Sequence, residues 1–326
     1  MVEIHPLSVV AFLDGRPAHE KQSNGVLQAL EKLTPIQVEY RRVPTQSLGS
    51  DLRDWLTYAG CFGLGLRLRQ GEISKTGPVD MIIGSGSHVH IPMLLMKRHS
   101  NSKVVTCMTP SPLLIRKVDL CFVPQHDNQR PADNIFFTVG PPNTSPFLGR
   151  HDKNAGLILV GGIDEKSHVW DSQKTLSQIG AILSKCASIG WTIASSPRTP
   201  QETSKQLHDM ALGLSNVSFV EPKETGPAWI EEQYATNYFV WVTADSISMI
   251  YEALTAGCRV GVLPVEWKKK KSKYIKAVEY VLKKEMAISY DQWTKKNIDT
   301  LHFDRLDEAS RCAKEILKRW WPERLQ

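Results

Sequence analysis

The feature that most constrains this chain is an alternation, repeated twice, of short apolar runs with longer amphipathic stretches. Runs of four to eight apolar residues bounded by turn residues read as buried strands, and apolar residues at three- and four-residue spacing read as helices. The first series predicts strands at 7–13, 37–43, 80–84, 103–108, 120–123 and 134–138, with helices at 19–33, 52–70 and 91–98. The second predicts strands at 157–160, 191–194, 217–220, 238–242 and 260–263, with helices at 170–189, 200–214 and 246–256. Strands alternating with helices build parallel sheets covered on both faces. Residues 139–154 are rich in Pro, Gly and polar residues without periodicity and read as a linker. At 326 residues the chain suits two cores better than one. The expected fold is α/β, with two Rossmann-like doubly wound parallel-sheet domains facing a cleft. They would span residues 1–145 and 146–304, and a helix within 305–326 is expected to pack back on the first domain.

Composition narrows the class. With 41% hydrophobic and 23% charged residues the chain is neither disordered nor fibrous. No apolar run reaches the roughly 18 to 20 residues of a membrane span, and residues 9–13 are too short for a signal-peptide core, so the reading is cytoplasmic. Six cysteines (Cys61, Cys107, Cys121, Cys186, Cys258, Cys312) lack any C-x-x-C pair and read as reduced core thiols. The net charge of +6 is concentrated: Lys268, Lys269, Lys270, Lys271 and Lys273 form one block, while Lys318, Arg319 and Arg324 flank Trp320 and Trp321. Such blocks are ordinarily solvated faces. The functional alternative is peripheral contact with an anionic membrane surface. Nucleic-acid binding is not expected, since no nucleic-acid motif accompanies the charge.

Ligands of open parallel sheets bind beyond the carboxyl ends of the strands, so the polar residues that follow predicted strands carry the functional signal. Thr243-Ala244-Asp245-Ser246 leads into the helix SISMIYEALTAG, whose first N–H groups and dipole end suit an anion, with Ser248 in its first turn. An ordinary cap is the bland alternative. Glu252, two turns inside that helix among apolar neighbours, needs a partner, and ribose hydroxyls would supply donors. Gly161 and Gly162 follow another strand, either letting a phosphate approach the backbone or making a tight turn. Ser195, Ser196 and Arg198 sit on a third loop of the same edge and add hydroxyls and a guanidinium.

In the first half, Asp14 to Glu20 follow the opening strand, and His19 is a candidate general base near neutral pH, against the alternative of a solvated histidine. Asp14 and Glu20 are the carboxylates beside it. Ser87, His88 and His90 follow a parallel strand, and His126 and Asp127 another. Ser87, His88, His126 and Asp127 are candidates for acceptor recognition. No third ligand at a diagnostic spacing supports a metal at His88 and His90, and no metal is expected.

Taken together, LDGRPAHEKQSNGVLQAL, DMIIGSGSHVHIP, FVPQHD, the glycine pair with a downstream His and Trp, SSPRTP and VTADSISMIYEALTAG resemble the ELM-type mitochondrial fission family. That family has glycosyltransferase-like bacterial members near envelope-polysaccharide genes. The match runs from about residue 8 to residue 265. More distantly, the chain is similar to the glycosyltransferase that forms lipid II, with Glu252 at the position of a ribose-holding Glu and His19 at that of a His after the first loop. The resemblance implies a GT-B fold, a nucleotide-diphosphate sugar as donor substrate with no further cofactor, and a glycan or lipid-linked acceptor bound by the first domain.

The leading expectation is therefore metal-independent sugar transfer. One alternative is a non-catalytic membrane-surface scaffold that keeps the fold, for which the lysines and the Trp pair would matter more than Glu252 or His19. Another is a nucleotide-sugar epimerase using Asp14, Glu20 and Asp127.

Overall fold

The computed structural model describes residues 5–43, 77–98, 100–269, 272–295 and 305–325. The helix expected at 52–70, together with Cys61, Lys270 and Lys271, lies outside them. The chain divides into two compact units, residues 1–144 with 307–326 and residues 145–306.

In the first unit β1 (Leu7–Leu13), β2 (Ile36–Arg42), β3 (Met81–Gly84), β4 (Lys103–Thr106), β5 (Leu120–Pro124) and β6 (Ile135–Thr138) form sheet A, in the order β2-β1-β3-β4-β5-β6. Every pairing is parallel. Alternate side chains of a strand face opposite ways, so a sheet covered on both sides needs apolar residues at nearly every position. β1 shows this directly. Val9 and Ala11 join the core under α1 (Pro17–Glu31), whereas Val10 and Phe12 join the core under α2 (His90–Lys97). α1 begins with Pro17, which needs no hydrogen-bonded N–H at a helix start.

The last helix, Glu308–Trp320, is capped by Asp307, whose carboxylate accepts the Ser310 N–H at 3.3 Å. It turns Cys312, Ala313, Ile316 and Leu317 into the same core as α1, each large aliphatic contributing about 2 kcal/mol of burial. Trp320 and Trp321 pack against that core too, and the Lys103 ammonium stands 5.9 Å from the Trp320 ring. The terminal Trp pair, half-buried, is thus part of the fold.

The second unit contains β7 (Asp152–Leu159), β8 (His168–Val169), α3 (Ser172–Lys185), β9 (Gly190–Ala194), α4 (Gln201–Leu212), β10 (Val217–Val220), α5 (Trp229–Thr236), β11 (Asn237–Thr243), α6 (Ile247–Ala256), β12 (Arg259–Leu263), β13 (Glu266–Trp267), α7 (Lys273–Lys283) and β14 (Ala287–Ser289). Sheet B is parallel throughout, in the order β10-β9-β7-β11-β12-β14, while β8 and β13 pair as a small antiparallel ribbon. β7 takes in three residues of the expected linker. The elements β8, α5, β13, α7 and β14 are additions to the sequence reading.

In each sheet the chain runs outward on one side of its first strand and then returns to the other side. The reversal falls between β1 and β3 in sheet A and between β7 and β11 in sheet B. Connections leave in opposite directions there, opening a crevice at the carboxyl ends of the strands. Among the described residues no helix is long and apolar enough to cross a membrane. Cys107, Cys121, Cys258 and Cys312 are buried free thiols and Cys186 is a half-buried one.

Candidate functional site

At the sheet A reversal, Asp14 follows β1 and His19 stands in the first turn of α1, which folds back over it. The His19 Nδ1 lies 2.7 Å from Asp14 Oδ2, and the side chains are 17% and 2% exposed. The other carboxylate oxygen accepts the Arg16 N–H at 3.1 Å, so Asp14 is fixed from two sides. With Asp14 as a carboxylate, Nδ1 carries the proton and Nε2 is left as an acceptor, the arrangement of an oriented general base. Glu20 plays a different part, since its Oε1 accepts the Gly15 N–H at 3.0 Å and holds the loop.

The loop after β3 closes over this pair. Gly86 has φ +107°, and a side chain there would collide with the Asp14 carboxylate and the His19 ring, so only glycine suits the position. Ser85 places a buried hydroxyl without a hydrogen-bond partner beside it, Ser87 is exposed, and His88 Nε2 lies 3.5 Å from Arg16 Nη2. His90, which the sequence reading weighed only as a metal ligand beside His88, has a different place. As the first residue of α2 it turns inward, 3.0 Å from the Thr106 hydroxyl. Burial, and next the charge of nearby His19, lower its pKa to about 4, so it is neutral at pH 7.

His126 and Asp127 form a turn at the end of β5, on the same edge but three strands from β1, about 14 Å away at normal strand spacing. Asp127 accepts the Thr109 hydroxyl at 2.5 Å, and His126 lies 3.9 Å from it. These two residues are therefore not joined to the Asp14–His19 pair.

At the sheet B reversal, the loops after β7, β9 and β11 meet in one network. Asp245, with a side chain only 1% exposed, pairs with Arg198 at 2.7 Å, and Arg198 itself is 42% exposed. Gly161 N–H donates to the Thr243 hydroxyl at 2.8 Å and Gly162 N–H to Asp245 at 3.2 Å. Ser196 donates to the Gly161 carbonyl at 3.0 Å, and Thr199 reaches the same oxygen. Side chains on the two glycines would strike the Asp245 carboxylate and the Arg198 backbone. Of the two alternatives read for Gly161 and Gly162, these contacts fit the tight turn, with both N–H donors engaged within the protein.

What stays available is the start of α6. Its cap residue Ser246 makes no side-chain capping bond, leaving first-turn N–H groups for an anion. Ser195 adds a buried hydroxyl without a hydrogen-bond partner at the end of β9. Ser248 and Glu252 lie one turn apart on one face of α6, and Glu252 is buried. Burial and then the charge of Glu252 raise the pKa of the buried Tyr234 phenol well above its usual value, so Tyr234 stays neutral. Two residues that the sequence reading placed in motifs but gave no role in the site complete the network. Thr199 binds two loops, and His168 bridges the Gly162 carbonyl at 2.9 Å and the Ser167 hydroxyl at 2.7 Å. A groove of about 710 Å³ between α4 and β10 lies at the outer edge of sheet B and takes in none of these residues.

The order of the motifs is decided by one comparison: a family model described as mitochondrial fission ELM1 matches residues 17–320. The chain belongs to the mitochondrial fission ELM1 family. No curated protein matches the sequence. Among solved structures, this ELM1-family chain is similar to the UDP-GlcNAc 2-epimerase from Neisseria meningitidis bound to UDP-GlcNAc. The two share 12% identity over 96% of this chain and 99% of that one, with a TM-score of 0.59. It is likewise similar to UDP-GlcNAc 2-epimerase from Methanocaldococcus jannaschii, with 13% identity over 97% and 99% of the chains and a TM-score of 0.58. At such identities the likeness establishes the fold: this ELM1-family member has the two parallel-sheet domains of the GT-B architecture.

Proposed function

We propose that the protein is a glycosyltransferase that moves a sugar from a nucleotide-diphosphate donor to a glycan or lipid-linked acceptor. The observation that carries this reading is the Asp14–His19 pair, a buried carboxylate orienting a histidine whose second nitrogen is left to accept a proton. His19 Nε2 takes the proton of the acceptor hydroxyl as that oxygen attacks the anomeric carbon, and the nucleoside diphosphate departs with the bonding electrons. Its developing charge is met by the α6 N–H groups and by Arg198, which exchanges Asp245 for phosphate. Ser248 and Glu252 supply the ribose side of the donor site, and Ser87 and His88 the acceptor side.

A second reading, epimerisation of a nucleotide sugar, is favoured by the shared fold over nearly the whole chain. Inverting a carbon by proton removal and return calls for acid–base groups around that carbon. Glu20 is engaged by the Gly15 N–H, and Asp127 is three strands away and held by Thr109, which supports transfer over epimerisation.

The test is calorimetry and thermal shift with a panel of nucleoside diphosphates and their sugars. A ligand at about a hundred times its dissociation constant stabilises the fold by about 2.7 kcal/mol, and Glu252→Ala should abolish that gain. Incubation of each nucleotide sugar alone, followed by NMR, separates the readings: appearance of an epimer without acceptor establishes the second and removes the first.

A further inference from the structure

The lysine block has no part in the chemistry above, and its surroundings give it one. Between Trp267 and Lys276 the chain carries six lysines and no carboxylate. The β8–β13 ribbon fixes the start of this segment: Lys268 N–H donates to the Ser167 carbonyl at 3.0 Å, and its ammonium to the Glu165 carbonyl at 2.6 Å. Trp267 stacks on Tyr274 with ring centroids 6.3 Å apart and planes within 5°, and His168 meets Trp267 edge-on. Ser272 then caps α7, which turns Ala277, Val278 and Val281 inward and leaves Lys273 and Lys276 outward. Lys268 and Lys269 are exposed as well, and Tyr274 and Val169 add apolar surface at 39% and 44% exposure.

We propose that this face of the second unit is a docking surface for an anionic phospholipid membrane. Lys268 and Lys269 lie before α7 and Lys273 and Lys276 on its outer flank, so the described lysines are spread along the segment and match a field of phosphates better than a single ion. Tyr and Trp beside lysine stems suit the boundary between head groups and acyl chains. The bordering carboxylates Glu165, Glu266 and Glu279 leave the segment net positive. Both strands of the ribbon follow the carboxyl ends of sheet B strands, and His168 ties the ribbon to Gly162, so docking would bring the candidate donor edge toward the lipid phase. That consequence rests on the sugar-transfer reading, whereas the docking itself does not.

The experiment is sedimentation of the full chain with vesicles of phosphatidylcholine, alone or with about one third phosphatidylglycerol, without donor or acceptor. Binding is expected only to the anionic vesicles and should fade as salt rises from about 0.1 M to 1 M. Each lysine near such a surface is worth about fivefold in partitioning, so Lys268→Ala, Lys269→Ala, Lys273→Ala and Lys276→Ala together should reduce binding at least about 100-fold with an unchanged melting temperature. Tyr274→Ala should reduce it about three- to tenfold. Equal binding to neutral vesicles, an unaffected quadruple variant, or loss of binding with about 10 mM inorganic phosphate at constant ionic strength, the mark of a single-anion site, would each overturn the proposal. None of these results bears on donor binding, which is read separately with nucleotides.

Discussion

The two sheet reversals use the same backbone device and fill it differently. In sheet A a buried acid holds a histidine by one ring nitrogen; in sheet B a buried acid holds an arginine that is itself partly exposed. The lesson is that a reversal of strand order supplies a place in either sheet, although the strand orders differ, and the residue paired with the aspartate sets the chemistry that place offers. The two glycine loops differ in the same way. Gly86 makes room for the Asp14–His19 pair, while Gly161 makes room for the protein's own Asp245 and Gly162 for the backbone at Arg198.

The contrast is broken most sharply at His19. His19→Ala should slow transfer by about 10² to 10⁴ while nucleotide binding, followed by calorimetry, stays as it is. Loss of both together would mean that the first reversal also holds the donor. His90 gives the next largest effect. Its native pKa of about 4 lies below the ordinary 6.5, so its contribution is complete above about pH 6.5 and is lost as the pH falls toward 4. Urea unfolding over that window should show about 3 kcal/mol of acid destabilisation, and His90→Gln, which keeps a partner for Thr106, should flatten it. A slope unchanged in the variant would mean that His90 does not titrate between these limits.

Arg198→Ala tests the second reversal. It should weaken nucleoside diphosphate binding about 10- to 100-fold, the worth of one charge-assisted contact. Affinity within twofold of the parent would leave the α6 N–H groups as the anion's grip. The smallest effect is expected at Gly86, where alanine must adopt a left-handed backbone: Gly86→Ala should cost about 1 to 2 kcal/mol in chemical denaturation and disturb the Asp14–His19 distance. A neutral result would show that the loop can retreat.

Much of this was legible before the structure. The buried strands announced themselves because β1, β3 and β5 are apolar at almost every position, and the polar residues after them had to gather at one edge. What escaped was written in weaker signals. β14 has only three residues, and the outer half of α7 is so lysine-rich that its inward Ala277, Val278 and Val281 were overshadowed. Asp152 to Asn154 begin β7 with exposed polar residues and looked like linker. His90 reads as loop in SGSHVHIP, because nothing in the string says that the helix starts there and faces inward. Engagement was harder still: that Asp245 closes the Gly161–Gly162 turn depends on a Gly162 N–H donating to a carboxylate 83 residues away, a separation no local pattern encodes.

The last helix has a consequence for biosynthesis. Because residues 308–320 pack beside α1 on that side of sheet A, the first unit must wait with that face only partly covered while the whole of 145–306 is translated. The second unit, continuous in the chain, can mature on the ribosome meanwhile. A polypeptide stopped just short of residue 307 would carry a finished domain beside an open, sticky one, a natural substrate for chaperones and proteases.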